Sequence, residues 1–195
     1  SFTFVATANS VKSVGAKPVF VDILKDNYTM DPNDLRKKIS RRTKAIIPVH
    51  LYGHMAYMDE ILEVSKKKNI KIIEDASQSL GSKFKGKHSG TFSHLGCFSL
   101  YGGKVITSGE GGAIVTDDKK LLEKLRQIRN HGMTKNNLIT TLGLNLRLSE
   151  INAAIAKIQM KKLPRLINER KKKAQNLTDL LKDCDIILPK QRKNE

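Results

Sequence analysis

The 195-residue sequence predicts an α/β fold with a mostly parallel sheet flanked by helices. Two observations carry this. Short β-branched runs alternate with longer stretches of helical period, the order that places helices over a parallel sheet. Helix-start residues also stand where the period changes, as Asp31-Pro32 and Ser149 do.

In chain order, residues 17–22 read as a strand. Asp31-Pro32 then opens a helix, because Asp can cap free amides and Pro is preorganised for a first turn. Residues 45–49 form an apolar strand, broken by Leu51-Tyr52-Gly53. A helix follows over 58–68, with Ile61, Leu62, Val64 and Ser65 at helical spacing. Residues 70–73 are a strand running into Glu74-Asp75. Two more strands are expected at 95–100 and 112–116. The stretch 121–129 is amphipathic, with Leu121, Leu122, Leu125 and Ile128 on one face. Ser149 caps a long helix from 150 towards 173. In parallel sheets ligands bind at the carboxyl ends of strands, which groups His50, Asp75 and Ser99 at one edge.

Composition narrows the function classes. Lys and Arg number 36 against 19 acidic residues, a formal net charge of +17. That balance suits anionic partners. The lysines are dispersed along solvent faces, and aromatics are only 5%, so no nucleic-acid platform is visible. Cys97 and Cys184 stand far apart without a C-x-x-C pair, which argues against a disulfide framework or a zinc site. No apolar run has the length of a membrane span, and no secretory leader is recognisable, so a cytoplasmic protein is expected.

The chemistry concentrates in residues 99–112, Ser99-Leu100-Tyr101-Gly102-Gly103-Lys104-Val105-Ile106-Thr107-Ser108-Gly109-Glu110-Gly111-Gly112. A lysine lies in a glycine-dense loop between two strands, where backbone can approach a ligand closely. Four further motifs accompany it in order: Ser1-Phe2-Thr3-Phe4-Val5-Ala6-Thr7-Ala8-Asn9, Pro48-Val49-His50-Leu51-Tyr52-Gly53, Glu74-Asp75-Ala76-Ser77-Gln78, and Gly143-Leu144-Asn145-Leu146-Arg147 followed by Glu150. Together they resemble the DegT/DnrJ/EryC1/StrS sugar aminotransferases, which are fold-type I enzymes dependent on pyridoxal 5'-phosphate (PLP).

The resemblance implies roles. Lys104 would carry PLP as a Schiff base and act as a general base once released. Asp75 would face the pyridine nitrogen and keep the ring an electron sink. Gln78 would reach the ring hydroxyl, Ser99 the phosphate, and Phe4 the ring face. Asn145 and Arg147 would reach the cofactor and substrate region of a neighbouring subunit, implying a homodimer with shared active sites. Glu110 would be structural, and the role of His50 stays open. The expected reaction moves an amino group, from glutamate, to a keto-sugar on a nucleoside diphosphate. The alternatives are a PLP-dependent sugar dehydratase, whose relatives replace the lysine with histidine, and a non-catalytic partner subunit. Family members are longer, with a phosphate-cradling helix start upstream and a further C-terminal domain. The expected organisation is therefore a PLP-binding large domain over 1–160, lacking its N-terminal part. A connecting helix and the start of a truncated C-terminal domain follow over 161–195.

Overall fold

The structure, a computed structural model, describes residues 2–189 and 192. Ser1 of the opening motif, and 190, 191 and 193–195 of the charged tail, lie outside the described residues.

The fold is α/β. A four-stranded sheet has the order β1-β2-β5-β6, with β1 Ala45–Ile46, β2 Lys71–Asp75, β5 Leu95–Ser99 and β6 Gly112–Val115. The β1-β2 and β2-β5 pairs are parallel, and β5-β6 is antiparallel. The carboxyl ends of β1, β2 and β5 therefore share one edge. Ser99 pairs with Gly112 across the last ladder, so the segment between them leaves and re-enters the sheet at that same edge.

The helices form where their end signals stand. Asp31 accepts a hydrogen bond from Asn33 N–H and caps α2, Pro32–Lys38. Helix α3, Met58–Lys68, buries Met58, Ile61, Val64 and Ser65 and ends at Asn69 in the left-handed conformation. Its buried face joins Leu35, Ile46 and Ile72 in the main core. Helix α4, Lys119–Arg129, is capped by Asp118. The expected apolar face of α4 is half-buried along Leu121, Leu122, Leu125 and Ile128. Ser149 caps α5, Glu150–Leu181, which passes residue 160 without a break and continues eight residues beyond the expected end at 173.

A second, smaller core joins Leu100, Ile106 and Leu163, with Ile167 packed against it. Here α5 comes down on the segment after β2. Gly81 allows it: its φ is +92°, and a Cβ there would run into Ile167 Cδ1. The loop after β5 is thereby clamped from behind by α5.

Three features differ from expectation. Residues 17–22 form no strand, and Val19 and Phe20 are exposed. A strand needs a paired neighbour, and among the described residues none pairs with this segment. The Asp22 amide instead donates to Asp34 Oδ2 at 2.8 Å. Helix α1, Ala6–Ser13, arises in the opening motif without a capping side chain, so no end signal announced it. A two-stranded hairpin, β3 Lys83–Phe84 with β4 Lys87–His88, turns through Lys85 and Gly86, both at positive φ. Its strands are too short to show a period.

Candidate active site

The carboxyl edge of the sheet is built around a buried histidine–glutamate hydrogen bond. His50, just after β1, and Glu74, on β2, are both fully buried, and His50 Nε2 lies 3.0 Å from Glu74 Oε2. Ala56 N–H donates to His50 Nδ1 at 3.1 Å, which puts the ring proton on Nε2, aimed at Glu74. Glu74 Oε2 also accepts from Gly90 N–H. Its Oε1 accepts from the amides of Phe92 and Ser93 and from Ser93 Oγ. The open question about His50 is answered by this geometry: it is a structural histidine, tying the loop after β1 to β2.

Burial pushes the Glu74 carboxyl up. The hydrogen bonds from His50, Ser93 and Gly90 outweigh it and hold the group below the ordinary carboxylate range. A depressed folded-state value stabilises the fold fully above the unfolded carboxylate value, about 4.3. That contribution disappears as pH falls through the lower folded value. Glu74→Gln places an NH2 group against donors, with an expected cost of about 1–3 kcal/mol. It should also remove this acid-side dependence. Urea unfolding followed between about pH 3 and 7 reads both effects; equal stability of the two proteins would contradict the assignment.

Asp75 closes β2 beside this pair. The His50 amide donates to the Asp75 carbonyl at 3.0 Å, and Asp75 N–H donates to the Pro48 carbonyl at 2.9 Å. The half-buried Asp75 carboxylate accepts from Thr7 Oγ1 at 2.7 Å through Oδ2 and from Ser77 N–H at 3.1 Å through Oδ1. Cys97 is the register partner of Asp75 on β5. Burial, then the charges of Asp75 and Glu74, push the Cys97 thiol up, which keeps it protonated and a poor nucleophile.

Gln78 is held by a backbone device. Tyr52 is left-handed (φ 55°), and its N–H donates to Gln78 Oε1 at 2.9 Å. An amide donor can meet only the oxygen of a carboxamide, so the Gln78 Nε2 hydrogens are left to donate elsewhere. This fixes the polarity of the side chain.

Lys104 lies on the segment joining β5 to β6 and is half-buried. Its amide donates to the Tyr101 carbonyl at 3.0 Å, closing a turn directly after the strand. The Leu100 carbonyl accepts from Ser108 N–H and Thr107 Oγ1, and Leu100 N–H donates to the Gly111 carbonyl. Gly111 has φ +148°, and a Cβ there would meet Leu148 Cδ1 at 2.7 Å. Glu110 contributes its carbonyl, which accepts from Ser108 Oγ and from Asn152 Nδ2 on α5. Its side chain is exposed. Ser99 Oγ accepts weakly from Tyr101 N–H at 3.4 Å, so its own hydroxyl hydrogen takes no part in that bond.

The other expected residues sit further out. Phe4 is 69% exposed, in the turn before α1. Asn145 makes a backbone bridge to Asn130, and Arg147 Nη1 donates to Asn130 Oδ1 at 2.6 Å. Among the described residues, no hydrogen bond joins either one to Asp75, Gln78, Ser99 or Lys104.

One edge thus gathers a primary amine, a carboxylate, a carboxamide with its donor end available and a hydroxyl. The family model for DegT/DnrJ/EryC1/StrS aminotransferases matches residues 1–195. The chain belongs to this family. A relative from Pseudomonas aeruginosa, UDP-2-acetamido-2-deoxy-3-oxo-D-glucuronate aminotransferase, is 46% identical over 155 residues, covering 79% of this chain and 43% of that protein. The crystal structure of a DegT/DnrJ/EryC1/StrS aminotransferase from Brucella abortus superposes with a TM-score of 0.95 at 35% identity, covering 99% of this chain and 54% of that one. DesV of S. venezuelae, solved with a ketimine intermediate, gives a TM-score of 0.93 at 36% identity over 98% of this chain and 52% of that one. The chain spans about half the length of the curated relatives it matches.

Two residues that bond to Asp75 and Gln78 carry no signal of those contacts in the sequence. Thr7 lies inside a quoted motif, but nothing local shows that its hydroxyl meets a carboxylate 68 residues away. Tyr52 acts through its amide, and only its following glycine hinted at a turn.

Proposed function

We propose that this chain carries the cofactor-binding core of a PLP-dependent aminotransferase acting on nucleoside-diphosphate-linked keto-sugars. The observation that carries the proposal is the donor set on one sheet edge. Asp75, Gln78, Ser99 and Lys104 offer a carboxylate, an amide donor, a hydroxyl and an amine, which fit a ring nitrogen, a ring oxygen, a phosphate and an aldehyde. PLP bound there would supply an electron sink for the pair left when a proton leaves the carbon bearing the amine.

The rest is the work of the chain. Lys104 Nζ would hold the cofactor and, when free, is the amine that would take and return a proton. The Asp75 carboxylate would pair with the ring nitrogen. Gln78 Nε2 would be the donor for the ring oxygen, because Tyr52 N–H already occupies its Oε1. Ser99 Oγ would take part of the phosphate charge. Phe4 would cover the ring face, and Asn145 and Arg147 would serve the site of a second copy in a homodimer. The division into a PLP-binding domain over 1–160 and a connecting segment over 161–195 belongs to the same reading, as does a cytoplasmic location. Among the described residues no helix is long and apolar enough to cross a membrane.

The sugar substrate class is supported by the activity for which the Pseudomonas aeruginosa relative is named. Retention of Lys104 favours amino transfer over dehydration. The test supplies the full-length protein with PLP, glutamate and a panel of nucleotide-linked 3-keto and 4-keto sugars. Formation of 2-oxoglutarate together with an amino sugar is the expected result. Loss of water from the sugar, without amine incorporation, would instead establish the dehydratase.

A further inference from the structure

We propose that Thr7 is a positioning residue for Asp75, and that its hydroxyl ties the segment bearing Phe4 to the partner of the ring nitrogen. The proposal rests on the reading of Asp75 given above and adds a group to it.

Thr7 lies in the first turn of α1, three residues after Phe4. Threonine is a weak helix former, and inside a helix its hydroxyl usually bonds back to its own helix. Here the hydroxyl turns away from α1 and donates to Asp75 Oδ2 at 2.7 Å, in a partly buried setting. Ser77 N–H holds the other oxygen, Oδ1. One donor on each oxygen sets the plane of the carboxylate, which a single donor would leave free to rotate. The two donors come from different sides: Ser77 follows Asp75 on its own loop, whereas Thr7 arrives from the opening motif.

The consequence is mechanical. No capping side chain anchors the start of α1, and no residue of α1 is buried. Its register against the sheet edge is therefore set by few contacts, and the Thr7–Asp75 bond is one of them. Two groups assigned to the same ring, Phe4 at the face and Asp75 at the nitrogen, are joined by a charge-assisted hydrogen bond, which is short and directional. Removing the hydroxyl should loosen both grips together without touching the cofactor directly.

The experiment measures PLP binding to the full-length protein by absorbance titration, with the induced circular dichroism of bound PLP as a second readout. Thr7→Val and Thr7→Ala delete the hydroxyl, and Thr7→Ser restores it. Both deletions should weaken PLP binding about tenfold and reduce the dichroism, while Thr7→Ser stays within about twofold of wild type. In an Asp75→Ala background, which has no group for Thr7 to bond, the Thr7→Val loss should shrink to less than about twofold, because the two residues act through one bond. A serine variant as weak as valine, a valine loss of equal size with and without Asp75, or deletions that bind like wild type would each overturn the proposal. Asp75→Asn that binds with unchanged dichroism and turns over normally would sink the underlying reading of Asp75 and take this proposal with it. Silent Thr7 variants beside a disabled Asp75→Asn would sink the Thr7 proposal alone.

Discussion

Lys104→Ala in the full-length protein is expected to abolish amino transfer, a loss of at least about ten-thousandfold. The residue is assigned two tasks, covalent attachment and proton movement, and a positioned acid-base group alone contributes about 10²–10⁴-fold. No neighbour on the same loop can take over: Val105 and Ile106 are apolar, and Thr107 is engaged with the Leu100 carbonyl. Stability should change little, because Lys104 is half-buried and its hydrogen bond to the Tyr101 carbonyl runs through its backbone amide. The location is checked directly by borohydride reduction of the PLP-loaded protein and peptide mass spectrometry. The adduct should lie on Lys104 and vanish in the variant. Surface lysines abound in this +17 chain, so an adduct on one of them, with none on Lys104, would show that the wrong lysine had been assigned.

Asp75→Asn should separate chemistry from folding. A carboxylate about 4 Å from a pyridinium is worth roughly 4 kcal/mol at an effective dielectric of 20, or about three pKa units on the ring. Its loss should therefore lower amino transfer by about a thousandfold. The fold should tolerate the change within about 1 kcal/mol. Asparagine keeps one oxygen for Ser77 N–H, and the Thr7 hydroxyl can reverse its role and accept from the new NH2 group. Thermal melts beside the glutamate-dependent assay read both. Near-wild-type turnover would mean that Asp75 does not serve the ring nitrogen.

Legibility from sequence followed locality. Helix α3 was readable to the residue because its apolar spacing and flanking turn residues are contiguous. The cap residues Asp31 and Ser149 each accept the backbone hydrogen bond expected of them. The segment 17–22 misled, since β-branched character marks a residue that suits a strand, whereas a strand exists only where a neighbour pairs with it. Helix α1 was hidden for the opposite reason: Ala6–Ser13 lacks a cap, and none of its residues is buried. Glu74 looked like half of an acidic pair with Asp75. The sheet separates them, because adjacent residues on a strand point to opposite faces. One is sealed against His50 and the 90–93 backbone, and the other reaches Thr7 at the edge.

By itself the sequence determined the α/β class, the helices with contiguous signals and the family to which the chain belongs, together with the residue types available for chemistry. Those properties depend on neighbours in the chain or on motifs in fixed order. Only the tertiary structure decided that His50 is structural, that Gln78 presents its donor end, and that Thr7 meets Asp75. Each depends on a hydrogen bond between segments at least 24 residues apart. Such a bond exists only after sheet pairing has brought the segments within about 3 Å, and no local pattern encodes it.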